Sequence, residues 1–218
     1  MLIVLEGPEA VGKSTQIRRL IEWLRGEGLD IISVREPGGT VVGDELRRIV
    51  LDPASSLSPR AEALVFMASR AELVDQVIRP ALVAKKVVLV DRFFLSTYAY
   101  QIAGRGLEES DVRAANHFAT GGLVPDLTLL LKLPLAESLQ RLERRRTGPD
   151  RMERSSRDFH ERVATAFDQF AARDWQESHR ECGKIIAVDA MGSELEVFAR
   201  LSGAVREAWP GSFPVGPA

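Results

Sequence analysis

Short apolar runs alternate with longer amphipathic segments along this chain. Five of the runs are rich in Val, Ile or Leu without polar alternation, as is typical of parallel strands covered on both faces: Leu2–Leu5, Ile31–Val34, Val87–Val90, Leu127–Leu131 and Ile185–Val188. The intervening pattern predicts helices over 13–27, 41–51, 59–84, 94–103, 109–121, 135–146, 155–179 and 193–208. The alternation predicts an α/β fold in which helices flank both faces of a five-stranded parallel sheet.

Length and composition restrict the classes of protein to consider. The 218 residues suit one domain, and the hydrophobic share of 45% is ordinary for a globular enzyme. A net charge of −2 gives the whole molecule no attraction for nucleic acid or an anionic membrane. Cys182 is the only cysteine, which excludes an internal disulfide and a multi-cysteine metal site. The apolar run at the N-terminus is too short for a signal peptide, so we expect a cytoplasmic enzyme.

The chain contains no internal repeat. We therefore expect one domain over residues 1–209, with a flap near 144–153. The tail 210–218 is rich in Pro and Gly and is expected to be disordered.

A phosphate-binding loop follows the first predicted strand. Residues 7–14 read Gly-Pro-Glu-Ala-Val-Gly-Lys-Ser and match G-x-x-x-x-G-K-[ST], with a strand before them and an amphipathic helix after. Gly7 and Gly12 permit the backbone to turn its N–H groups toward phosphate. Lys13 supplies a charge for the β and γ oxygens, and Ser14 a hydroxyl ligand for Mg²⁺. This predicts a P-loop NTPase fold with an ATP-binding set of Gly7, Pro8, Glu9, Ala10, Val11, Gly12, Lys13, Ser14 and Thr15.

An acid and an arginine end the third predicted strand. The carboxyl ends of parallel strands share one edge of a sheet, so Asp91 and Arg92 should lie beside the phosphate loop. There Asp91 is placed to hold Mg²⁺ through water, and Arg92 to face the transferred phosphoryl group or an acceptor phosphate. A structural ion pair is the commoner use of such residues in isolation. Their position beside the loop favours the functional interpretation.

Several motifs together resemble one family. Residues 35–40 read REPGGT, residues 66–70 read FMASR, residues 91–101 read DRFFLSTYAYQ, and residues 125–128 read PDLT. In order and separation these resemble the motifs of bacterial thymidylate kinases, and the resemblance extends from residue 1 to about 209. It implies a homodimeric nucleoside-monophosphate kinase that transfers the γ-phosphoryl group of ATP to dTMP with Mg²⁺, giving dTDP for dTTP synthesis. Phe93 departs from the usual Tyr of the third motif.

The resemblance also implies roles for the acceptor pocket. Phe66 would stack on thymine, Arg70 would donate to its O4, and Tyr100 would pack where a ribose 2′-hydroxyl would protrude. Phe66 and Arg70 are four residues apart and so share a helix face. Taken singly, Phe66 and Tyr100 could be core residues and Arg70 part of a surface ion pair. The other implied contacts are Thr97 and Gln101 at the base edge, Glu9 near the 3′-hydroxyl, Arg35, Arg47 and Arg92 around the 5′-phosphate, and Pro37 after a cis Glu36–Pro37 peptide.

Arginines near residue 146 are the candidates for a catalytic flap. Some members of the family carry an arginine where this chain has Ala10, so the chain resembles the subtype that supplies arginines from the flap. The arginines crowd a segment broken by Gly148 and Pro149. Some of them would only cap a helix C-terminus, whereas one or two would stabilise charge on the phosphoryl group. The predicted catalytic residues are Lys13, Arg92, Arg146 and Arg151, with Arg145 in reserve.

Two other functions stay open from the sequence. A kinase for another nucleotide or for a nucleoside would share the phosphate loop, but a nucleoside kinase would need a carboxylate base near the 5′-hydroxyl. A P-loop switch that hydrolyses ATP slowly would lack an acceptor pocket. No general base is predicted for a monophosphate acceptor, because its second pKa is about 6. Leu64, Val65, Met67 and Leu73 are possible dimer-interface residues, although core packing explains them equally well.

Overall fold

The computed structural model describes residues 1–144, 148 and 150–211. Its centre is a five-stranded parallel sheet with the order β2-β3-β1-β4-β5. All five predicted strands are confirmed, and each is within one residue of the predicted limits at either end. The strands are β1 (Leu2–Glu6), β2 (Ile31–Arg35), β3 (Val87–Asp91), β4 (Leu127–Lys132) and β5 (Lys184–Asp189).

Helices cover both faces of this sheet, which confirms the predicted α/β fold. The helices are α1 (Lys13–Gly26), α2 (Val41–Leu51), α3 (Pro59–Leu73), α4 (Arg79–Val83), α5 (Phe94–Thr97), α6 (Glu109–Thr120), α7 (Leu135–Glu143), α8 (Arg157–Gln169), α9 (Arg173–Ser178) and α10 (Glu194–Ala208). A π-helical turn, Val74–Ile78, joins α3 to α4, and a second one, Tyr98–Gly104, continues α5. A 3₁₀ turn, Arg180–Cys182, precedes β5.

Two apolar clusters hold the layers together, one on each side of the sheet. Alternate residues of β1 supply them: Leu2 and Val4 join one cluster, and Ile3 and Leu5 join the other. All four are at most 1% exposed, because a central parallel strand is covered on both faces. The unalternated apolar runs of the sequence are explained by this arrangement.

The prediction of one helix over 155–179 is wrong. The structure has two helices there, because Ala172 adopts extended backbone angles (φ −67°, ψ 142°) between α8 and α9. The break lets Phe170 and Trp175 both pack edge-on against Tyr98, with ring centroids 6.4 and 5.5 Å away. No Gly or Pro marks the break, so periodicity alone could not locate it.

The sheet order determines which loops meet. Because β1 lies between β3 and β4, and β3 pairs with β2, the carboxyl ends of β1, β2 and β3 are neighbours. In register, Leu5 is opposite Asp91, and Asp91 is opposite Arg35. The phosphate loop, the Asp91-Arg92 pair and the REPGGT segment are therefore brought to one edge. None of the helices within the described ranges is long and apolar enough to cross a membrane.

Candidate active site

The phosphate loop joins β1 to α1 and depends on glycine at two positions. Gly7 and Gly12 have φ values of 142° and 97°, which favour glycine. A Cβ on Gly7 would also lie 2.5 Å from the backbone oxygen of Leu131, so a side chain cannot be added there without movement of β4. Ala10 also has a positive φ, 54°, although this position of the loop is not a glycine. The backbone path of the loop is thus fixed before any phosphate binds.

Lys13, the first residue of α1, is folded against the loop. Its Nζ donates to the backbone oxygens of Gly7 and Pro8 at 2.9 and 2.7 Å, and the residue is 8% exposed. Burial, together with the nearby Arg92, lowers the pKa of Lys13 to about 8, although Glu9 opposes the shift. The amine is therefore mostly charged at neutral pH, and its charge lies where the predicted phosphates would.

Arg92 is held in place from three sides. It has the left-handed φ of 69°, and its Nη2 donates to Glu9 Oε1 at 2.7 Å. Its Nη1 donates to the Gly7 backbone oxygen at 3.2 Å and to Ser96 Oγ at 3.0 Å. The hydroxyl of Tyr100 donates to the same Glu9 oxygen at 2.8 Å. The loop acid, the strand-end arginine and the tyrosine therefore form one connected group.

The carboxyl group of Glu9 is ionised at neutral pH. Burial alone would raise its pKa, but Arg92, Lys13 and the Tyr100 hydroxyl outweigh that effect and lower the pKa to about 2. The same carboxylate raises the pKa of Arg92 above its usual range despite burial. Glu9 is thus an acceptor of hydrogen bonds and a poor proton acceptor at neutral pH.

Glu6, at the end of β1, supports the segment that carries Arg92. Its carboxylate is fully buried and accepts from the backbone N–H of Phe93 at 2.7 Å and of Ser96 at 3.0 Å. It also accepts from the Ser96 hydroxyl at 2.7 Å. Ser96 in turn accepts from Arg92, so Glu6 positions that arginine indirectly.

Asp91 and Ser14 fit a divalent cation. Asp91 Oδ1 is buried and has no hydrogen-bond partner within the described parts of the chain, and Ser14 is exposed on the same cavity. A carboxylate oxygen and a hydroxyl are the ligands that Mg²⁺ takes when substrate phosphates complete its coordination. The structure therefore fits the predicted metal ligands.

Arg35 at the end of β2 and Arg47 in α2 make a basic site at the edge of the cavity. The guanidinium of Arg47 donates to the backbone oxygen of Pro37 at 2.8 Å, and the Glu36–Pro37 peptide is cis, as expected from the sequence. Burial and the neighbouring Arg35 lower the pKa of Arg47, although Asp150 opposes the shift. Neither Arg35 nor Arg47 forms an ion pair with a described carboxylate. Two neighbouring guanidinium groups that form no such ion pair are suited to a dianionic phosphate.

Arg70 is buried, and all five of its N–H groups are used. Nε and Nη2 donate to Glu36 Oε2 at 2.8 and 2.5 Å. The remaining donors reach the Phe93 backbone oxygen at 2.8 Å, Thr97 Oγ1 at 3.0 Å, and Asn116 Oδ1. The surface ion pair considered from the sequence is excluded, since Arg70 is 2% exposed. A contact with a base oxygen would have to share one of these N–H groups.

One cavity of about 490 Å³ joins these groups, a volume suited to small-molecule ligands. It is lined by most of the predicted site: Glu9, Ala10, Val11, Gly12, Lys13, Ser14, Thr15, Arg35, Pro37, Arg47, Phe66, Arg70, Asp91, Arg92, Thr97, Tyr100 and Gln101. Gly7 and Pro8 act through their backbone oxygens, behind Lys13. Phe66 is half-buried, as a stacking platform requires, and Tyr100 packs against Phe159 and Phe167.

The flap is described only in part. Arg145 and Arg146 lie outside the described residues. Arg151 is not among the lining residues: its Nη2 pairs with Glu62 at 2.8 Å, and its Nε donates to the Val50 backbone oxygen at 2.7 Å. In this arrangement Arg151 attaches the turn that begins at Asp150 to α2 and α3. Its catalytic role stays a prediction.

Comparisons with known proteins agree with this geometry. The family model of thymidylate kinase matches residues 5–182. A thymidylate kinase of a Synechococcus species is 47% identical over 212 residues, covering 96% of each chain. That of Deinococcus radiodurans is 44% identical over 207 residues, covering 95% of this chain and 97% of its own. The chain belongs to the thymidylate kinase family.

Some residues of this thymidylate kinase site carry no motif signal. The cavity is also lined by Glu36 and Ser96, which lie within two of the motifs, and by Leu51, Arg141, Asp150, Met152 and Glu153, which no motif contains. Behind it, Asn116 holds Arg70, and Glu62 holds Gln101. The sequence spacing could have indicated Glu62 as a residue near the site. It lies four residues before Phe66 and eight before Arg70 and so shares their helix face. No local sequence pattern links Asn116 to the site, because it is 46 positions from Arg70.

The depressed pKa of Glu9 predicts an acid-sensitive contribution to stability. A carboxyl group whose folded pKa is about 2 and whose unfolded value is 4.5 stabilises the fold above pH 4.5, and this effect is lost as pH falls toward 2. The free energy of unfolding of the wild type minus that of Glu9→Gln should therefore be about 2 kcal/mol smaller at pH 3 than at pH 6. Urea unfolding at pH 6 and at pH 3 measures it. A difference that stays constant down to pH 3 would contradict the assignment.

Proposed function

We propose that this chain is an ATP-dependent kinase of dTMP, producing ADP and dTDP. One observation carries the proposal: a single cavity joins a P-loop lysine, two arginines that form no ion pair with a described carboxylate, and a pocket lined by Phe66 and Arg70. Membership of the thymidylate kinase family supports dTMP as the acceptor. The proposal includes a cytoplasmic location, as expected for an enzyme of free nucleotides.

Phosphoryl transfer here relies on position and charge. The loop backbone and Lys13 hold the ATP phosphates, while Arg35 and Arg47 hold the acceptor phosphate in line with them. Arg92 lies between these groups, and its guanidinium is positioned by Glu9 before either substrate binds. The acceptor oxygen needs no general base, because a phosphate monoester is largely dianionic at neutral pH. Preorganised positive charge is therefore the main catalytic contribution of this chain.

The Mg²⁺ that accompanies ATP would be held by Ser14 directly and by Asp91, whose buried Oδ1 has no described partner. When bound there, Mg²⁺ would supply positive charge that offsets the negative charge of the phosphates. The residues present supply few protein ligands, which suits Mg²⁺, since it keeps several waters.

The alternative of a nucleoside kinase is disfavoured by the state of Glu9. Such an enzyme needs a carboxylate that can accept a proton from the 5′-hydroxyl. Glu9 has a pKa of about 2 and is already bonded to Arg92 and Tyr100, so it is a weak base. The uncompensated Arg35 and Arg47 favour an acceptor that already carries a phosphate.

Substrate choice tests the proposal. ADP release measured with a panel of nucleoside monophosphates should be fastest with dTMP, weaker by roughly 10–200-fold with dUMP, and negligible with dCMP and purines. The reason is that Arg70 offers only donors, which suit O4 but not an amino group. The variant Lys13→Ala is the control and should abolish turnover while keeping the circular dichroism spectrum. Equal or better use of dCMP, CMP or AMP would identify another acceptor.

We also propose that flap arginines act on the transition state. The proposal rests on the order of the chain: the segment around Arg146 directly follows α7, and Arg141 of that helix lines the cavity. Arg146→Ala and Arg151→Ala, made separately, should lower kcat by about 10²–10³-fold with little change of KM for ATP. Arg157→Ala, on the exposed start of α8, is the control. A change confined to KM would make these arginines binding residues only, and an unchanged kcat for Arg151→Ala would limit that residue to its contacts with Glu62 and Val50.

A homodimer is the proposed assembly. Of the four candidate residues, Met67 and Leu73 are core residues of the monomer, with 5% and 0% exposure, whereas Leu64 is 62% exposed. Phe118 on α6 is 89% exposed, and α3 packs against both α2 and α6. These exposed apolar groups on adjacent helices are suited to a partner of the same kind.

Sedimentation should therefore show a dimer for the wild type. The variants Leu64→Lys and Phe118→Lys should shift it toward the monomer, because each places a charge in the apolar contact. Val83→Lys on α4, equally exposed, is the control. A monomeric wild type at micromolar concentration would contradict the proposed assembly.

A further inference from the structure

Glu62 is a buried carboxylate behind the acceptor pocket. It lies in the first turn of α3 and is 1% exposed. Its oxygens receive Gln101 Nε2 at 3.0 Å, Arg105 Nη2 at 3.1 Å and Arg151 Nη2 at 2.8 Å. Two guanidinium groups balance its charge, so the carboxylate is satisfied without water. Glu62 does not line the cavity, and any effect it has on a substrate must act through a neighbour.

Gln101 is the neighbour that reaches the cavity. Its side-chain amide has one donor end and one acceptor end, and it could in principle present either to a ligand. A carboxylate can only accept, so the contact with Glu62 forces the amide nitrogen to turn toward α3. The oxygen must then point away from Glu62. Among residues 1–144 and 150–211 no group donates a hydrogen bond to that oxygen.

We propose that Glu62 is a positioning residue that makes Gln101 an obligatory acceptor in the base pocket. Thymine and uracil carry a proton on N3, whereas cytosine presents a lone pair at the same place. Gln101 Oε1 would accept from N3–H of the former and would be repelled by the latter. The choice between these bases is therefore made twice, by the donors of Arg70 and by the acceptor of Gln101. This inference rests on the proposed function and extends it to a residue that touches no substrate.

Neutralising Glu62 tests the inference. In Glu62→Gln the new amide can donate as well as accept, so the amide of Gln101 is free to reverse and present its N–H groups. The ratio of kcat/KM for dTMP to that for dCMP should fall by about tenfold or more, because dTMP loses a partner and dCMP gains one. The assay is ADP release with each nucleotide. A residue with a merely structural role would slow both substrates alike and leave the ratio unchanged.

Two matched controls separate the contributions. Glu72→Gln makes the same chemical change on the same helix, where Glu72 contacts only Gln76 among described partners, and should keep the ratio. Arg151→Met removes one ion pair of Glu62 but not its contact with Gln101, so it should also keep the ratio even if kcat falls. If Glu62→Gln does not fold by circular dichroism, Glu62→Asp carries the same test. It keeps the charge against the arginines and withdraws the oxygens from Gln101.

The outcomes are distinct. A lower ratio in the Glu62 variant with both controls unchanged supports the inference. A ratio within about twofold of the wild type overturns it and leaves the proposed function intact. A wild type that does not prefer dTMP over dCMP overturns the proposed function and the inference together.

Discussion

Charge buried at the carboxyl edge of the sheet is the constraint on which the rest of the structure depends. Three carboxylates in and behind the cavity are each matched to arginine: Glu9 to Arg92, Glu36 to Arg70, and Glu62 to Arg105 and Arg151. Removing one partner of such a pair typically costs about 3–5 kcal/mol, because the other charge is left buried and uncompensated. Once these pairs are formed, the positive charge left over is that of Lys13, Arg35 and Arg47. These carboxylates thus form ion pairs that hold the site together, and the remaining cations can bind phosphate.

The sequence predicted the sheet and the phosphate half of the site well, for a physical reason. The apolar run of β1, the loop glycines and Lys13 are local features, and parallel order brings the ends of β1, β2 and β3 together whatever the helices do. The same locality explains the confirmed cis Glu36–Pro37 peptide, which followed from a contiguous motif. Contacts such as those of Asn116 with Arg70 join helices far apart in the chain. They depend on how α3 and α6 pack, which no short window of sequence contains.

The helix that was predicted over 155–179 illustrates the opposite case. Its residues have a helical pattern throughout, yet tertiary packing of Phe170 and Trp175 around Tyr98 is satisfied only if the chain turns at Ala172. Arg151 shows a related difference at the level of the site. The sequence made Arg151 one of the catalytic candidates in the arginine cluster beside Gly148 and Pro149, and in the structure Arg151 contacts Glu62 and the Val50 backbone oxygen. Residues of one type in one segment can serve different purposes, and contacts alone separate them.

In the base pocket that we propose, the residues that would contact the base share one physical requirement. A side chain can discriminate between bases by hydrogen bonding only if it cannot switch between donating and accepting. A side chain that could switch would satisfy either base. Arg70 can only donate, and Glu36 holds two of its N–H groups so that the guanidinium keeps its orientation. Gln101 could reverse, and it is the residue placed against a buried carboxylate. A carboxylate therefore contacts each of these two groups. Glu36 orients the guanidinium of Arg70, and Glu62 orients the side-chain amide of Gln101.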